Sequence, residues 1–201
     1  MILVIDTETT GKYNFKLPHD HSSQPNLVQL GFQVLSEDGP VRHQAEFVIR
    51  PDGWVISDEV AQIHGITNNI AAEQGVDIHF ALDSLAGCLK SVDRVVAHNV
   101  DFDLAVMATA YGRCFRDDVL AKLPRFCTMK AMTPVMQLPG PYGNKWPKLS
   151  EAYAYCTDTP LVNAHCALVD VAACATVYRW YWQNAARHDK ISAAELKAEY
   201  A

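Results

Sequence analysis

Two carboxylates, Asp6 and Glu8, close the apolar run Met1-Ile-Leu-Val-Ile that opens the chain, and Thr9-Thr-Gly11 turns the backbone directly after them. Five apolar residues in a row read as a strand covered on both faces, which belongs at the centre of a sheet. Side chains alternate along a strand, so positions i and i+2 point to the same side. Two carboxylates held side by side repel each other, and losing water makes their ionisation costlier still. A cation or a shared proton relieves both penalties. An isolated Asp-x-Glu equally describes a polar strand end dissolving into a loop, so the pair needs partners from elsewhere in the chain.

Candidate partners stand where other elements end. Asp103 follows His98-Asn-Val-Asp-Phe102 and falls in the first turn of a helix that starts at Asn99, read as its N-cap. Taken alone, Asp103 would only complement the helix dipole. His165 and Asp170 are five positions apart. Five steps of about 100° leave them roughly 140° apart on a helix, so they cannot share a face. Both can reach one site only if His165 sits at or before the helix start, with Asn163 as N-cap, while Asp170 is held within the helix. Asp170 lies beside the apolar stripe Leu168, Val171, Ala175, Tyr178 and Trp182, with no Lys or Arg within a turn. An acid so placed needs a partner or a metal.

The elements that must carry these residues follow from periodicity. Residues 26–35 and 41–50 read as an antiparallel hairpin joined by Ser36-Glu-Asp-Gly-Pro40. Short helices are predicted over 57–64, with Ser57 as N-cap, and over 69–74; an amphipathic helix covers 78–89. A buried strand over 94–98 precedes the helix 99–111, and a short strand over 125–128 precedes a helix over 129–135. Residues 138–147, with Pro, Gly and Asn, read as loop, then helices cover 148–156 and 165–186. A polar tail follows Arg187. The stretch 12–24 is a long polar loop, which often marks a functional edge. The order implies a mixed sheet with helices on its faces, in a single domain over 1–201 with its core over about 1–186.

Composition sets the limits. With 201 residues, 49 % hydrophobic and 20 % charged, one substantial core is expected. The six cysteines include no C-x-x-C pair, so free buried thiols are expected rather than a zinc ribbon or disulfide framework. The first residues lack a basic n-region and a cleavage site, and no apolar stretch approaches the roughly 18 residues of a membrane span, so a cytoplasmic setting is expected. The formal net charge of −6 argues against a broad electrostatic grip on nucleic acid. Carboxylates that hold cations, however, count as negative in sequence and positive in use.

Asp6-x-Glu8 with Thr-Thr-Gly, Asp103 after His-Asn-x-x-Phe, and His165-x4-Asp170 together resemble the DnaQ-like (DEDDh) 3′-5′ exonucleases. That family includes the proofreading subunit of bacterial DNA polymerase III, RNase T and oligoribonuclease. The resemblance spans roughly residues 1–182 and takes in Ile63-His-Gly-Ile-Thr67 and Lys148-Leu-Ser-Glu-Ala-Tyr153. It implies an α/β, RNase H-like fold and release of nucleoside 5′-monophosphates from 3′ ends of single-stranded or frayed DNA. It also implies a two-metal mechanism. Asp6, Glu8 and Asp170 would hold one divalent ion, and Asp6 with Asp103 a second; oxygen donors suit Mg²⁺ or Mn²⁺. His165 would be the general base. Thr7, Thr9, His64, Asn99 and Phe102 would surround the terminal nucleotide, although Asn99 could only cap its helix, Phe102 could only be core and His64 a satisfied loop histidine.

The implied partners are a nucleic-acid 3′ end, DNA favoured over RNA, and a DNA polymerase or other replication or repair protein. An RNA exonuclease of the same fold is the alternative. A non-catalytic binding module is disfavoured because all five chemical positions are present. The chain departs from the family pattern at 12–24, which is longer than usual, and at 124–148. There Lys145, Trp146 and Lys148 could meet phosphate and base, or Trp146 could pack into the core.

Overall fold

The structure, a computed structural model, describes residues 1–36 and 39–184. Strand β1 (Ile2–Thr9) lies at the centre of a five-stranded sheet. It pairs antiparallel with β2 (Leu27–Leu35) and parallel with β4 (Arg94–Ala97). Outside these, β3 (Val41–Val48) runs antiparallel to β2, and β5 (Arg125–Cys127) runs parallel to β4. The order β3-β2-β1-β4-β5 is the mixed, RNase H-like sheet expected from the sequence.

The seven α-helices among the described residues are α1 (Asp58–His64), α2 (Asn68–Gln74), α3 (Ile78–Gly87), α4 (Val100–Arg113), α5 (Thr128–Met136), α6 (Leu149–Thr157) and α7 (Ala167–Gln183). The alternation of β1 divides the apolar residues between two cores. Leu3 and Ile5 join Leu82, Leu85, Val106 and Tyr111 on the α3–α4 side. Ile2 and Val4 join Met132, Ala152, Val171 and Tyr178 on the α5–α7 side. All four β1 residues are buried, as a strand covered on both faces requires.

Ser57 caps α1 as expected, its side chain accepting from the Val60 amide. Four local readings change. Residues 138–147 are not all loop, because Pro139–Gly140 (β6) and Gly143–Asn144 (β7) form a minimal antiparallel ladder. Asn99 stands at the N-cap position of α4, but with φ 79° and no side-chain cap hydrogen bond. Its backbone is left-handed, a conformation Asn tolerates, so its amide is left free for other use. Asn163 is not the cap of α7; that position belongs to Cys166, and Asn163 is a left-handed loop residue with φ 59°. The buried face of α7 runs through Asp170, Val171, Cys174, Val177, Tyr178 and Tyr181, while Leu168 and Trp182 are only half-buried. The helix is wedged between the sheet and α6, so it buries a broader arc than one stripe.

All six cysteines are free, and Cys127 and Cys174 are fully buried. No helix among the described residues is long and apolar enough to cross a membrane. The expected end of the last helix at 186 and the polar tail lie outside the described residues.

Candidate active site

Asp6 and Glu8 project from the same side of the C-terminal end of β1, and the first turns of α4 and α7 bring Asp103 and Asp170 to them. Asp103 and Asp170 are 3 % and 7 % exposed, so neither is an ordinary surface acid. Thr7 fixes Asp103 with two donors, since its amide and its hydroxyl reach the same Oδ1 at 3.0 and 2.8 Å. Thr7 therefore positions an acid from beneath. His165 precedes α7 in a left-handed conformation (φ 70°), and its amide donates to Asp170 Oδ2 at 2.8 Å. Its ring remains exposed. Ligand atoms of Glu8, His165 and Asp170 lie within 4.8 Å of one another.

The electrostatics follow from crowding. Burial pushes Asp6 well above the usual carboxylate range, and Asp103, Asp170 and Glu8 push it further. Glu8 is raised to about 7 by burial and then by Asp170 and Asp103. Burial also raises Asp103 to about 7, against the two Thr7 hydrogen bonds. Asp170 is raised by burial, partly offset by the His165 amide. Asp170 Oδ1 is buried without a hydrogen-bond partner, an expense rarely left unmet in a folded protein. A donor set of carboxylate oxygens, mutually repelling and with one lone pair unspent, fits hard divalent cations.

This arrangement gives a pH dependence. A carboxylate raised in the folded state binds protons that the unfolded chain has released, so stability falls as pH rises between the two pKa values. For Glu8 that window runs from 4.5 to about 7. The chelator-treated chain is expected to melt at a lower temperature at about pH 8 than at about pH 5, and saturating Mg²⁺ is expected to erase most of the difference. Melting curves in both buffers, with and without Mg²⁺, check this; a metal-free chain that melts higher at alkaline pH would contradict it.

The remaining predicted residues fall into two groups. His64 is brought to the site: it is 8 % exposed, Nδ1 accepts from the Ile66 amide at 3.1 Å, and Nε2 is buried without a hydrogen bond. Burial and then the neighbouring His165 lower its pKa, against the influence of the Thr9 carbonyl. Thr9 is buried and donates to the Gly11 carbonyl at 2.7 Å, which shapes the turn after β1. Phe102 is half-buried against the α3–α4 core. Asn99 lines a neighbouring cavity of about 820 Å³.

Several positioning residues carry no recognisable sequence signal. Gln29 Oε1 and Glu46 Oε1, from the hairpin, accept from the Ala167 and Leu168 amides at the start of α7 (3.3 and 2.9 Å). Gly31 makes that approach sterically possible, because a Cβ there would stand 2.8 Å from the Ala167 carbonyl carbon and Cβ. Gly31→Val is therefore expected to push the first turn of α7 off the sheet. Overpacking of this kind costs about 1–3 kcal/mol, or roughly 2–12 °C of melting temperature. The same shift moves His165 and Asp170, so Mg²⁺ affinity is expected to fall too. Calorimetric melting and metal titration of the variant check both.

Residues 12–24 are not a slack loop. The Gln24 amide nitrogen donates to the carbonyls of Asn14, Leu17 and Pro18, and its Oε1 accepts from the Asn14 amide. Arg113, at the end of α4, donates to the carbonyls of Ser22, Gln24 and Pro25 and to Asn26 Oδ1. Lys145 pairs with Glu151 at 2.6 Å, and Trp146 is exposed instead of packed into the core.

No curated protein matches the chain. Among solved structures, Escherichia coli exonuclease I in complex with a dT13 oligonucleotide is similar at 20 % identity and a TM-score of 0.73, over 92 % of this chain and 42 % of that one. The zinc-bound form of the E. coli exonuclease I–single-stranded DNA complex superimposes equally well (20 % identity, TM-score 0.73, 92 % and 41 %). Exonuclease X in complex with 5′-overhanging duplex DNA is similar at 23 % identity and a TM-score of 0.61, over 92 % and 93 % of the two chains. This chain thus spans about two fifths of the exonuclease I structures, and these likenesses establish a shared fold. The exonuclease family model RNase_T matches residues 3–178, a span that contains the four clustered carboxylates and His165; the chain belongs to that exonuclease family.

Proposed function

We propose that this chain is a divalent-metal-dependent 3′-5′ exonuclease that removes nucleoside 5′-monophosphates from single-stranded or frayed 3′ ends, DNA in preference to RNA. The observation that carries this reading is the mutual repulsion of Asp6, Glu8, Asp103 and Asp170 in one cluster, two of them half-buried and two buried, with His165 exposed beside Glu8 and Asp170. Asp6, Glu8 and Asp170 would hold one Mg²⁺ or Mn²⁺, and Asp6 with Asp103 a second. When bound, such ions neutralise the cluster, provide an activated water and stabilise the leaving 3′ oxygen.

The chain's own groups do the rest. His165, on the segment before α7, takes the proton of the attacking water at its ring nitrogen, the task of a general base. Its amide, independent of the ring, keeps Asp170 in place. Thr7 holds Asp103 through two donors, so both acids are set before substrate arrives. His64, buried beside His165 with its pKa lowered, would border the terminal nucleoside. The preference for DNA is supported by the likeness to exonuclease I and exonuclease X, each in complex with DNA. A polymerase or repair partner is expected from the family resemblance alone.

The test is digestion of 5′-labelled single- and double-stranded DNA and RNA in Mg²⁺ or Mn²⁺, read as product lengths on a gel. Expected are ladders shortened one nucleotide at a time from the 3′ end, fastest on single-stranded DNA and abolished by chelator. Chelator-resistant digestion or internal cuts would overturn the reading, and faster digestion of RNA would transfer it to the RNA exonucleases.

A further inference from the structure

Beside the acidic cluster, on the next face of α4, lies an open cavity of about 820 Å³ that the proposed chemistry does not use. Its floor is made of small or apolar α4 side chains, Leu104, Ala105 and Ala108. One wall is the segment after β1, where Tyr13 and Phe15 pack at 5.0 Å between ring centroids and 53° between planes. Trp146 lines the same cavity from the segment before α6. Phe15 and Trp146 are 63 % and 64 % exposed, so two large apolar rings face the cleft mouth and solvent instead of the core.

Both segments are fixed. Gln24 and Arg113 stitch the first to α4 as described, and the Thr109 hydroxyl lies 3.0 Å from the His19 carbonyl. The second is held by His98, which bridges Thr128 Oγ1 and the Pro147 carbonyl at 2.9 Å each, one residue beyond Trp146. At the rim, Arg125 and Lys130 share a single carboxylate, Asp101, which leaves an excess positive charge. Asn99, its side chain free of capping, stands where this cleft meets the first turn of α4, and Asp103 lies on that same turn.

Rigid, exposed aromatic faces next to an uncompensated cation match one class of ligand, an unpaired polynucleotide, whose bases stack while its phosphates meet the charge. We propose that the cleft is a second binding site for the substrate strand. It takes one or two unpaired bases on the 5′ side of the scissile nucleotide between Phe15 and Trp146, with a phosphate at Arg125 and Lys130. The proposal rests on the nuclease reading of the neighbouring cluster and extends it from a terminal nucleotide to a stretch of strand. It also accounts for how an acidic protein retains a polyanion: the positive charge is local.

The experiment compares two substrates. A p-nitrophenyl ester of a nucleoside 5′-monophosphate reaches only the acidic cluster, whereas a single strand of about 20 nucleotides reaches the cleft as well. The double variant Phe15→Ala/Trp146→Ala is expected to lower kcat/KM on the strand about tenfold to a hundredfold, the loss that follows removal of one or two base–aromatic stacks. It is expected to leave the nitrophenyl ester unchanged. Trp146→Phe is expected to recover most of the loss, because a π face remains. Fluorescence anisotropy of the labelled strand is measured alongside and is expected to show the same weakening for the double variant. Equal losses on both substrates, or none on either, would overturn the cleft. If no substrate is hydrolysed by the unaltered chain, the nuclease reading fails, and anisotropy still decides whether Phe15 and Trp146 hold a strand.

Discussion

Asp6→Asn is expected to abolish hydrolysis while leaving the fold intact or more stable. Asp6 is half-buried, and loss of water, then Asp103, Asp170 and Glu8, raises its pKa; in the proposed scheme it is the one residue shared by both ions. Losing several kcal/mol of charge stabilisation in the transition state corresponds to at least about a thousandfold in rate. Among the described residues, however, no hydrogen bond or ion pair holds that carboxylate, and the neighbouring acids only repel it; asparagine keeps the shape and removes the repulsion. The metal-free variant should therefore melt at the same temperature as the unaltered chain or higher near pH 8, and the Mg²⁺-induced rise in melting temperature should vanish. Calorimetry with and without Mg²⁺, beside a single-turnover digestion, reads both. A variant that retains a tenth of the activity, or that unfolds, would show that Asp6 has another role.

His165→Asn separates the ring from the main chain. The φ of 70° at this position disfavours alanine, and asparagine accepts left-handed backbone at little cost. The hydrogen bond that the His165 main-chain N–H donates to Asp170 does not depend on the side chain, so the cluster and its metal affinity should survive. Only the base is removed, and the expected loss in kcat is about 10²–10⁴ with KM nearly unchanged. The limb of the pH–rate profile that reports deprotonation of a base should flatten in the same variant. A residual profile of unchanged shape would assign the proton to another group, and loss of Mg²⁺ binding would recast His165 as a ligand.

The mixed sheet with its central first strand and hairpin is legible in the sequence because each part has a local signature. The continuous apolar run of β1 announced its central place, and the alternation of a strand put Asp6 and Glu8 on one side. The angular argument about His165 and Asp170 correctly required the histidine to lie outside the helix. What escaped was everything set by contact between distant elements. Asn163 looked like a cap because capping is judged from residue type, whereas the start of α7 is set by Gln29, Glu46 and the gap at Gly31. The hold of Thr7 on Asp103 is likewise invisible, since nothing in the sequence says which helix covers that side of β1. The stretch 12–24 carries no periodicity because it is organised by one buried amide and one guanidinium, and neither leaves a repeating pattern.

That anchorage has an evolutionary corollary. Three of the four acceptors that Arg113 engages are main-chain carbonyls, and so are the three acceptors of the Gln24 amide nitrogen. Peptide oxygens are present whatever side chains accompany them. Residues such as Phe15 can consequently be exchanged without loosening the attachment of the segment to its helix, and without disturbing the acids behind it. If the cleft holds a strand as proposed, selection can thus retune its preference by changing one face of a fixed handle without moving the acids.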